Sequence, residues 1–157
     1  MNLGKYSNAG VSFSFPRAWA VAEDDFDEFI RAITIEDENE GEGIYMIDIY
    51  KSEQAPSLEM YKSRQMESFL NSLPLGAEIV GTPQVTKIES KLGSDIEGIE
   101  VTFTISMPLV DNIHYISSYY KITSGGKTGL LSSQYPLENE FESRKGFEVI
   151  VGSFYAE

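Results

Sequence analysis

Cysteine is absent from this 157-residue chain. Its absence excludes disulfides, thiolate nucleophiles, iron–sulfur clusters and cysteine zinc sites, and it suits oxidising and reducing compartments equally. Apolar residues never run for the roughly 20 positions that a membrane-spanning helix requires, and the N-terminus lacks an apolar signal segment. We therefore expect no transmembrane segment. We expect a cytoplasmic protein. Because the chain begins almost at its first predicted strand, the alternative expectation is an exported protein from which a leader or lipid anchor was removed.

Basic residues are also scarce. The chain has 12 lysines and arginines against 25 aspartates and glutamates, which gives a net charge of −13. Such a charge repels phosphate backbones and anionic lipid, so nucleic acid and acidic membranes are disfavoured as partners. It is compatible with a basic protein partner or with divalent cations.

Histidine occurs once, at His114. A Ser-His-Asp triad would have to use it, and the chain has no Gly-x-Ser-x-Gly turn to carry the serine. With one histidine and no cysteine, a transition-metal site would need several carboxylates. The glycines of segment 124–128 join two predicted strands and lack the spacing of a phosphate loop. The sequence therefore predicts no catalytic residue, no metal ligand and no cofactor.

Alternation of apolar and polar residues predicts most of the strands. The first is 11–15, Val-Ser-Phe-Ser-Phe, and Trp19, the only tryptophan, is expected to fold back onto the same core. Segment 23–28 is interpreted as a polar connection. The remaining strands are predicted at 29–35 and 44–50, which form a hairpin with an acidic tip at 36–42, and at 79–88, 99–107, 113–122 and 128–135.

Two further segments have the helical period. One begins after Ser57, a predicted N-cap. Its apolar stripe consists of Leu58, Tyr61, Met66, Phe69, Leu70 and Leu73. The other lies between 137 and 154, where Gly146 and Gly152 permit close approach to a sheet. Because most strands follow one another without a helix between them, the order predicts an α+β fold. We expect one domain, 1–157, with a mainly antiparallel sheet and helices packed on both faces.

Three stretches together resemble the Mog/PsbP-like α/β/α sandwich. They are the opening 11–19 (Val-Ser-Phe-Ser-Phe-Pro-Arg-Ala-Trp), the helix start 56–61 (Pro-Ser-Leu-Glu-Met-Tyr) and the terminal segment 147–154. The resemblance covers nearly the whole chain and implies the sandwich fold. It also implies an accessory or assembly role, because members of the group bind the GTPase Ran or the water-oxidising complex of photosystem II, and a related bacterial group looks like secretion-associated chaperones.

Tyrosine-bearing strands are the predicted contact surface. Tyrosine is favoured at protein interfaces, and the sequence places four of them on neighbouring strands: Tyr115, Tyr119, Tyr120 and Tyr135. The leading hypothesis is a non-enzymatic protein-binding domain that uses these side chains and the acidic loops, with a protein as its partner. Two alternatives remain: a hydrolase with carboxylates in a cleft, and a weak Ca²⁺-responsive module that uses the acidic segments.

Overall fold

A computed structural model describes residues 1–38, 42–88 and 96–157. Within these ranges the chain forms ten strands and two α-helices, and two single-turn 3₁₀ helices cover Ser52–Gln54 and Leu137–Asn139. The strands are β1 Leu3–Asn8, β2 Val11–Pro16, β3 Trp19–Phe26, β4 Ile30–Asp37, β5 Ile44–Lys51, β6 Glu78–Ile88, β7 Ile96–Ser106, β8 Ile113–Ser124, β9 Lys127–Pro136 and β10 Tyr155–Ala156; the helices are α1 Leu58–Ser72 and α2 Glu140–Ser153.

The strands form two sheets. Seven lie in the order β3-β4-β5-β9-β8-β7-β6, and three lie in the order β1-β2-β10. Neighbouring strands in both sheets pair antiparallel. The predicted antiparallel sheet is therefore confirmed. Strand β6 has a bulge that contains Gly81 and Pro83, because the register between β6 and β7 shifts between Val80 and Gln84.

Helix α1 covers one half of one face of the large sheet. It begins as predicted, because the Ser57 side chain accepts a hydrogen bond from the Met60 amide at 3.2 Å. Its stripe packs on β7 and β8, where Ile99, Val101, Phe103, Ile105 and Tyr119 form the second of two apolar clusters.

Helix α2 and the small sheet cover the opposite face. Trp19 lies in the main apolar cluster with Val11 and Phe13, as predicted, and its ring stacks on Tyr45 with centroids 4.1 Å apart. Gly146 of α2 lies so close to this indole that a Cβ atom there would overlap the ring and would lie 2.9 Å from Pro16 Cγ. Close approach of α2 at Gly146 is confirmed. With α1 on one face and α2 on the other, the predicted α+β arrangement is confirmed as well.

Three strands were missed in the sequence: the two-residue β10 and the longer strands β1 and β3. The segment 23–28 was interpreted as a connection, but most of it belongs to β3, and β1 precedes the strand that was predicted to be first. Both are mostly exposed, and β3 is an edge of the large sheet while β1 is an edge of the small one. Edge strands tolerate polar and charged side chains, so their alternation is weak. Part of the predicted acidic tip, 39–41, lies outside the described residues.

Neither α-helix of the described residues has the length and apolar character needed to span a bilayer.

Candidate functional site

The four predicted contact tyrosines do not share an exposed surface. Tyr119, Tyr120 and Tyr135 are buried, and only Tyr115 is half-buried, with its ring packed on Phe69 and Phe103. Burial raises the pKa of Tyr119 to about 12. The binding role given to these tyrosines stays a prediction, but three of them are unreachable from solvent in this structure.

The alternation of β8 explains this placement. Successive residues of a strand point to opposite faces, so Tyr119 packs toward α1 and Tyr120 toward α2. Because helices cover both faces near the sheet centre, both side chains enter the core. The sequence carried one signal for this burial. Two tyrosines at consecutive positions of a central strand point to opposite faces, and in this fold both faces are covered.

His114 also lies away from any catalytic arrangement. It is exposed on β8, and its Nδ1 lies 2.8 Å from Thr104 Oγ1 on the neighbouring strand. Across residues 1–38, 42–88 and 96–157, no three histidine, aspartate or glutamate side chains come together in a way that could hold a metal ion.

An acidic cleft lies between the first two residues of the chain, the β2–β3 turn and the start of α2. Its volume is about 790 Å³. The cleft is formed by the β2–β3 turn, the end of β4 and the residues that lead into α2. Two backbone hydrogen bonds fix its rim: the Arg17 amide donates to the Asn2 carbonyl at 3.0 Å, and the Glu38 amide donates to the Ala18 carbonyl at 3.3 Å.

Three carboxylates and two aromatic rings are among the twelve residues that line this cleft. Asp37, Glu138 and Glu142 contribute acids, and Arg17 is the one basic side chain among the described lining residues. The ring of Phe141 is 75% exposed although phenylalanine is among the residues most often buried. Trp19 lines the cleft floor from the core side. This combination of negative charge and open aromatic surface suits a cationic group with an apolar stem.

Asp48 is the one buried carboxylate among the described residues. It is 8% exposed on β5, where its Oδ2 accepts hydrogen bonds from the Tyr61 hydroxyl at 3.0 Å and from Gln65 Nε2 at 3.5 Å. Tyr61 also lies 3.4 Å from Ser132 Oγ. Burial raises the pKa of Asp48 above its ordinary value, and the Tyr61 hydrogen bond opposes the shift.

This environment bears on the hydrolase alternative. A raised acid pKa in a polar cavity is what that alternative needs, but both hydrogen-bond partners of Asp48 are neutral side chains. The acidic segment 23–28 lies on an edge strand and the turn after it, not beside Asp48. Asp48 therefore does not belong to the kind of carboxylate pair that glycoside hydrolysis uses.

Comparison with known proteins identifies the scaffold. No family model and no curated protein matches the sequence. The solved structure of PsbP (CyanoP) from the cyanobacterium Synechocystis matches with a TM-score of 0.57 at 15% identity, covering 99% of this chain and 92% of that one. The Ran-binding protein Mog1p of Saccharomyces cerevisiae matches with a TM-score of 0.53 at 12% identity, covering 99% and 96%. The chain has a Mog/PsbP-like fold.

A third match carries the same fold in a larger chain. A Bacteroides thetaiotaomicron protein matches with a TM-score of 0.53 at 17% identity, covering 98% of this chain and 48% of that one. At these identities the matches assign the Mog/PsbP-like fold and no residue roles.

Sequence reasoning missed the acidic cleft of this Mog/PsbP-like domain. Its lining comes from segments as far apart as Arg17, Asp37 and Glu142, which only the tertiary fold brings together. One signal was present: Phe141 is an apolar residue set between Glu140 and Glu142 in the first turn of a helix, where acids are favoured by the helix dipole.

Asp48→Asn is expected to raise the free energy of unfolding at neutral pH by roughly 1 kcal/mol, because the amide still accepts from Tyr61 but no longer buries a charge. The folded pKa lies above the unfolded value of 3.8, so the wild-type contribution is fully present below 3.8 and is lost as pH rises through the folded pKa. The advantage of the variant should therefore grow with pH. Urea unfolding at several pH values, with the exposed Asp111→Asn as control, measures this; a destabilised Asp48→Asn would contradict it.

Proposed function

We propose that this chain is a non-enzymatic binding domain that recognises a protein partner through the acidic cleft. The observation that carries the proposal is the exposed ring of Phe141 beside the carboxylates of Asp37, Glu138 and Glu142 in one cleft. The Ran-binding protein of yeast, which has the same fold, supports the general class of role. The proposal names the chemistry of the partner and not its identity.

A segment rich in lysine or arginine is the chemistry that fits the cleft. Three carboxylates against Arg17 and the Met1 amino group leave the lining negative, and the whole chain carries a net charge of −13. Complementary charge of this kind raises the rate of encounter and selects against acidic partners. An arginine or lysine over an aromatic face adds a cation–π contact of roughly 0.5–1 kcal/mol at an exposed site. Lys145 Nζ lies 5.6 Å from the Phe141 ring centre, which is within the range of a cation–π contact.

Trp19 provides the test, because it is the only tryptophan and lines the cleft. We expect lysine- and arginine-rich peptides that carry one aromatic residue to shift its fluorescence, and peptides with glutamate in place of the basic residues to leave it unchanged. Glu138→Lys combined with Glu142→Lys should weaken binding at least tenfold, which corresponds to about 1.4 kcal/mol. Added salt should weaken binding to the unmodified protein.

A matched control separates the cleft from the overall charge. Glu53→Lys combined with Glu67→Lys makes the same change in net charge at exposed positions outside the cleft. Equal weakening by both double variants would mean that the peptides sense only the acidic surface. Absence of any fluorescence shift with the basic peptides would contradict the proposal directly.

A further inference from the structure

Two tight turns that lie in contact each expose a leucine side chain. In residues 74–77 the Ala77 amide donates to the Pro74 carbonyl at 3.1 Å, and Gly76 has a φ of +89°, so Leu75 occupies the first corner of a type II turn. Pro108 and Leu109 form the second turn, between β7 and β8. A Cβ atom on Gly76 would lie 2.9 Å from Pro108 Cγ, so the two turns are in contact.

Both leucines extend fully into solvent. The relative exposures are 101% for Leu75 and 105% for Leu109, and Val110 beside them is 56% exposed. Single exposed leucines are ordinary on a protein surface. Here the exposed apolar side chains come from two separate loops that contact each other through Gly76 and Pro108, and the chain as a whole is strongly acidic. We call residues 74–77 and 108–110 the leucine turns.

The backbone of Leu109 adds an independent observation. Its φ is +68°, in the left-handed region that glycine and asparagine occupy readily and leucine does not. Glycine fills the corresponding position of the first turn, at Gly76. Leucine at this position of the second turn therefore costs folding stability, and its side chain gains no burial in return. A strained residue kept at an exposed position is typical of a functional contact.

We propose that the leucine turns form a docking surface for a protein partner that has an apolar cleft with a basic rim. The two turns hold the backbone of both leucines in place, so little backbone freedom is lost on binding. Charge selects the partner: the exposed acids Glu78 and Asp111 flank the apolar side chains. These acids repel an anionic bilayer and a second copy of this chain, and they complement lysine or arginine on a partner.

The leucine turns are separate from the acidic cleft. The cleft includes the end of β4, and the leucine turns adjoin β6 and β7, where Glu78 pairs with Ser106. In the sheet order β4 and β7 are four strand spacings apart, which is about 19 Å. Changes at one surface should therefore leave binding at the other unaltered, and the two proposals fail independently.

The test combines a variant pair with site-directed cross-linking. A photo-reactive phenylalanine analogue placed at position 109, and separately at exposed position 127 on the opposite end of the sheet, is used in extract of the source cell. The cross-linked partner is then purified, and its affinity is measured for the unmodified chain and for Leu75→Ser combined with Leu109→Asn. We expect a partner that cross-links from 109 and not from 127, and whose Kd rises at least tenfold with the double variant.

The variant is chosen so that misfolding cannot explain a loss of binding. Asparagine adopts the left-handed conformation more readily than leucine, so Leu109→Asn alone should unfold at the same temperature as the parent chain or higher. The combination of unchanged or greater stability with weaker binding identifies the leucines as a contact surface. Glu138→Lys with Glu142→Lys, the cleft variant, should bind this partner normally if the cleft serves another contact.

Three results would overturn the proposal. The first is failure of the cross-linking test: either no partner is specific to position 109, or the partner found there binds the double variant as tightly as the parent chain. The second is co-sedimentation with neutral phosphatidylcholine vesicles that the double variant loses, which would assign the leucines to a bilayer. The third is a concentration-dependent dimer in analytical ultracentrifugation that the double variant abolishes, which would assign them to a second copy of this chain.

Discussion

Arg31→Ala is expected to lower the free energy of unfolding by about 2–3 kcal/mol, because it removes a buried guanidinium and leaves the half-buried Asp24 carboxylate without its charged hydrogen-bond partner. Arg31 is 7% exposed on β4 and binds Asp24 of β3 through two hydrogen bonds, Nε to Oδ1 at 2.9 Å and Nη2 to Oδ2 at 2.7 Å. This bidentate geometry is the strong form of an ion pair. Thermal and urea unfolding of the purified variant measure the loss.

The effect should be large because Arg31 joins three parts of the fold. Its guanidinium also donates to the Ala9 carbonyl at 3.2 Å and to the Asn8 carbonyl at 3.1 Å in the β1–β2 turn. The Tyr6 hydroxyl of β1 donates to the same Asp24 carboxylate. The cluster thus ties the small sheet to the edge of the large sheet. We expect the variant to lose hydrogen-exchange protection in β1 and β3 first.

The same cluster predicts an acid limit to stability. The hydrogen bonds from Arg31, with smaller contributions from Tyr6 and Asn8, lower the pKa of Asp24 to about 2 from an ordinary value of 3.8. A lowered folded pKa contributes stability that is present above 3.8 and is lost as pH falls through about 2. In Asp24→Asn the free energy of unfolding should fall less between pH 4 and pH 2, a window set by these two values.

An exposed ion pair of the same chain is the matched control. Lys62 Nζ lies 2.9 Å from Glu59 Oε2 at helical spacing, with the glutamate mostly exposed. Glu59→Gln should change the free energy of unfolding by less than about 0.5 kcal/mol, because solvent screens the pair. Similar losses in Arg31→Ala and Glu59→Gln would mean that burial gives Arg31 no special role.

The strands and helices at the centre of the fold, where a second layer covers them, were predictable from sequence. Their apolar residues recur with the period of a strand or of a helix. Alternation in 99–107 and the stripe from Leu58 to Leu73 both reflect burial against a partner layer. Edge strands lack this constraint, which is why β1 and the acidic part of β3 were missed. Ser57 as an N-cap needed only local chemistry, and that prediction is confirmed.

The candidate surfaces depend on contacts between distant segments of the chain, which the sequence pattern does not predict. The tyrosines were assigned to a surface by residue type, but the sheet is covered on both faces where they lie. The acidic cleft and the leucine turns each bring together residues from distant segments, such as Asp37 with Glu142 and Gly76 with Pro108. Fold resemblance could not supply them, because a shared scaffold does not preserve the binding surface.

Gly146→Ala is expected to lower the free energy of unfolding by about 1–3 kcal/mol, against the sign that helix propensity predicts. In an exposed helix interior the same change would stabilise by about 1 kcal/mol. At Gly146 the new methyl group would overlap the Trp19 indole and lie 2.9 Å from Pro16 Cγ. The indole cannot move aside easily, because it stacks on Tyr45 at 4.1 Å and is buried in the main cluster. Urea unfolding gives the sign directly.

Gly152 provides the control, because it is exposed in the same helix. Gly152→Ala should leave stability unchanged or raise it by up to about 1 kcal/mol. If Gly146→Ala stabilised the chain to the same extent, propensity would outweigh packing and α2 would have room to move away from the sheet.

Replacement of the indole itself identifies the cause. The atoms that a Cβ on Gly146 would overlap are Cη2 and Cζ2 of Trp19, in the six-membered ring of the indole. Trp19→Phe removes part of that volume, so Gly146→Ala should cost less in the Trp19→Phe background than in the parent chain. The double-mutant cycle should therefore give a favourable coupling, since the two sites are in contact. Additive effects would show that the size of the Trp19 ring does not set the cost of Gly146→Ala, and that α2 instead shifts relative to Pro16 and β2.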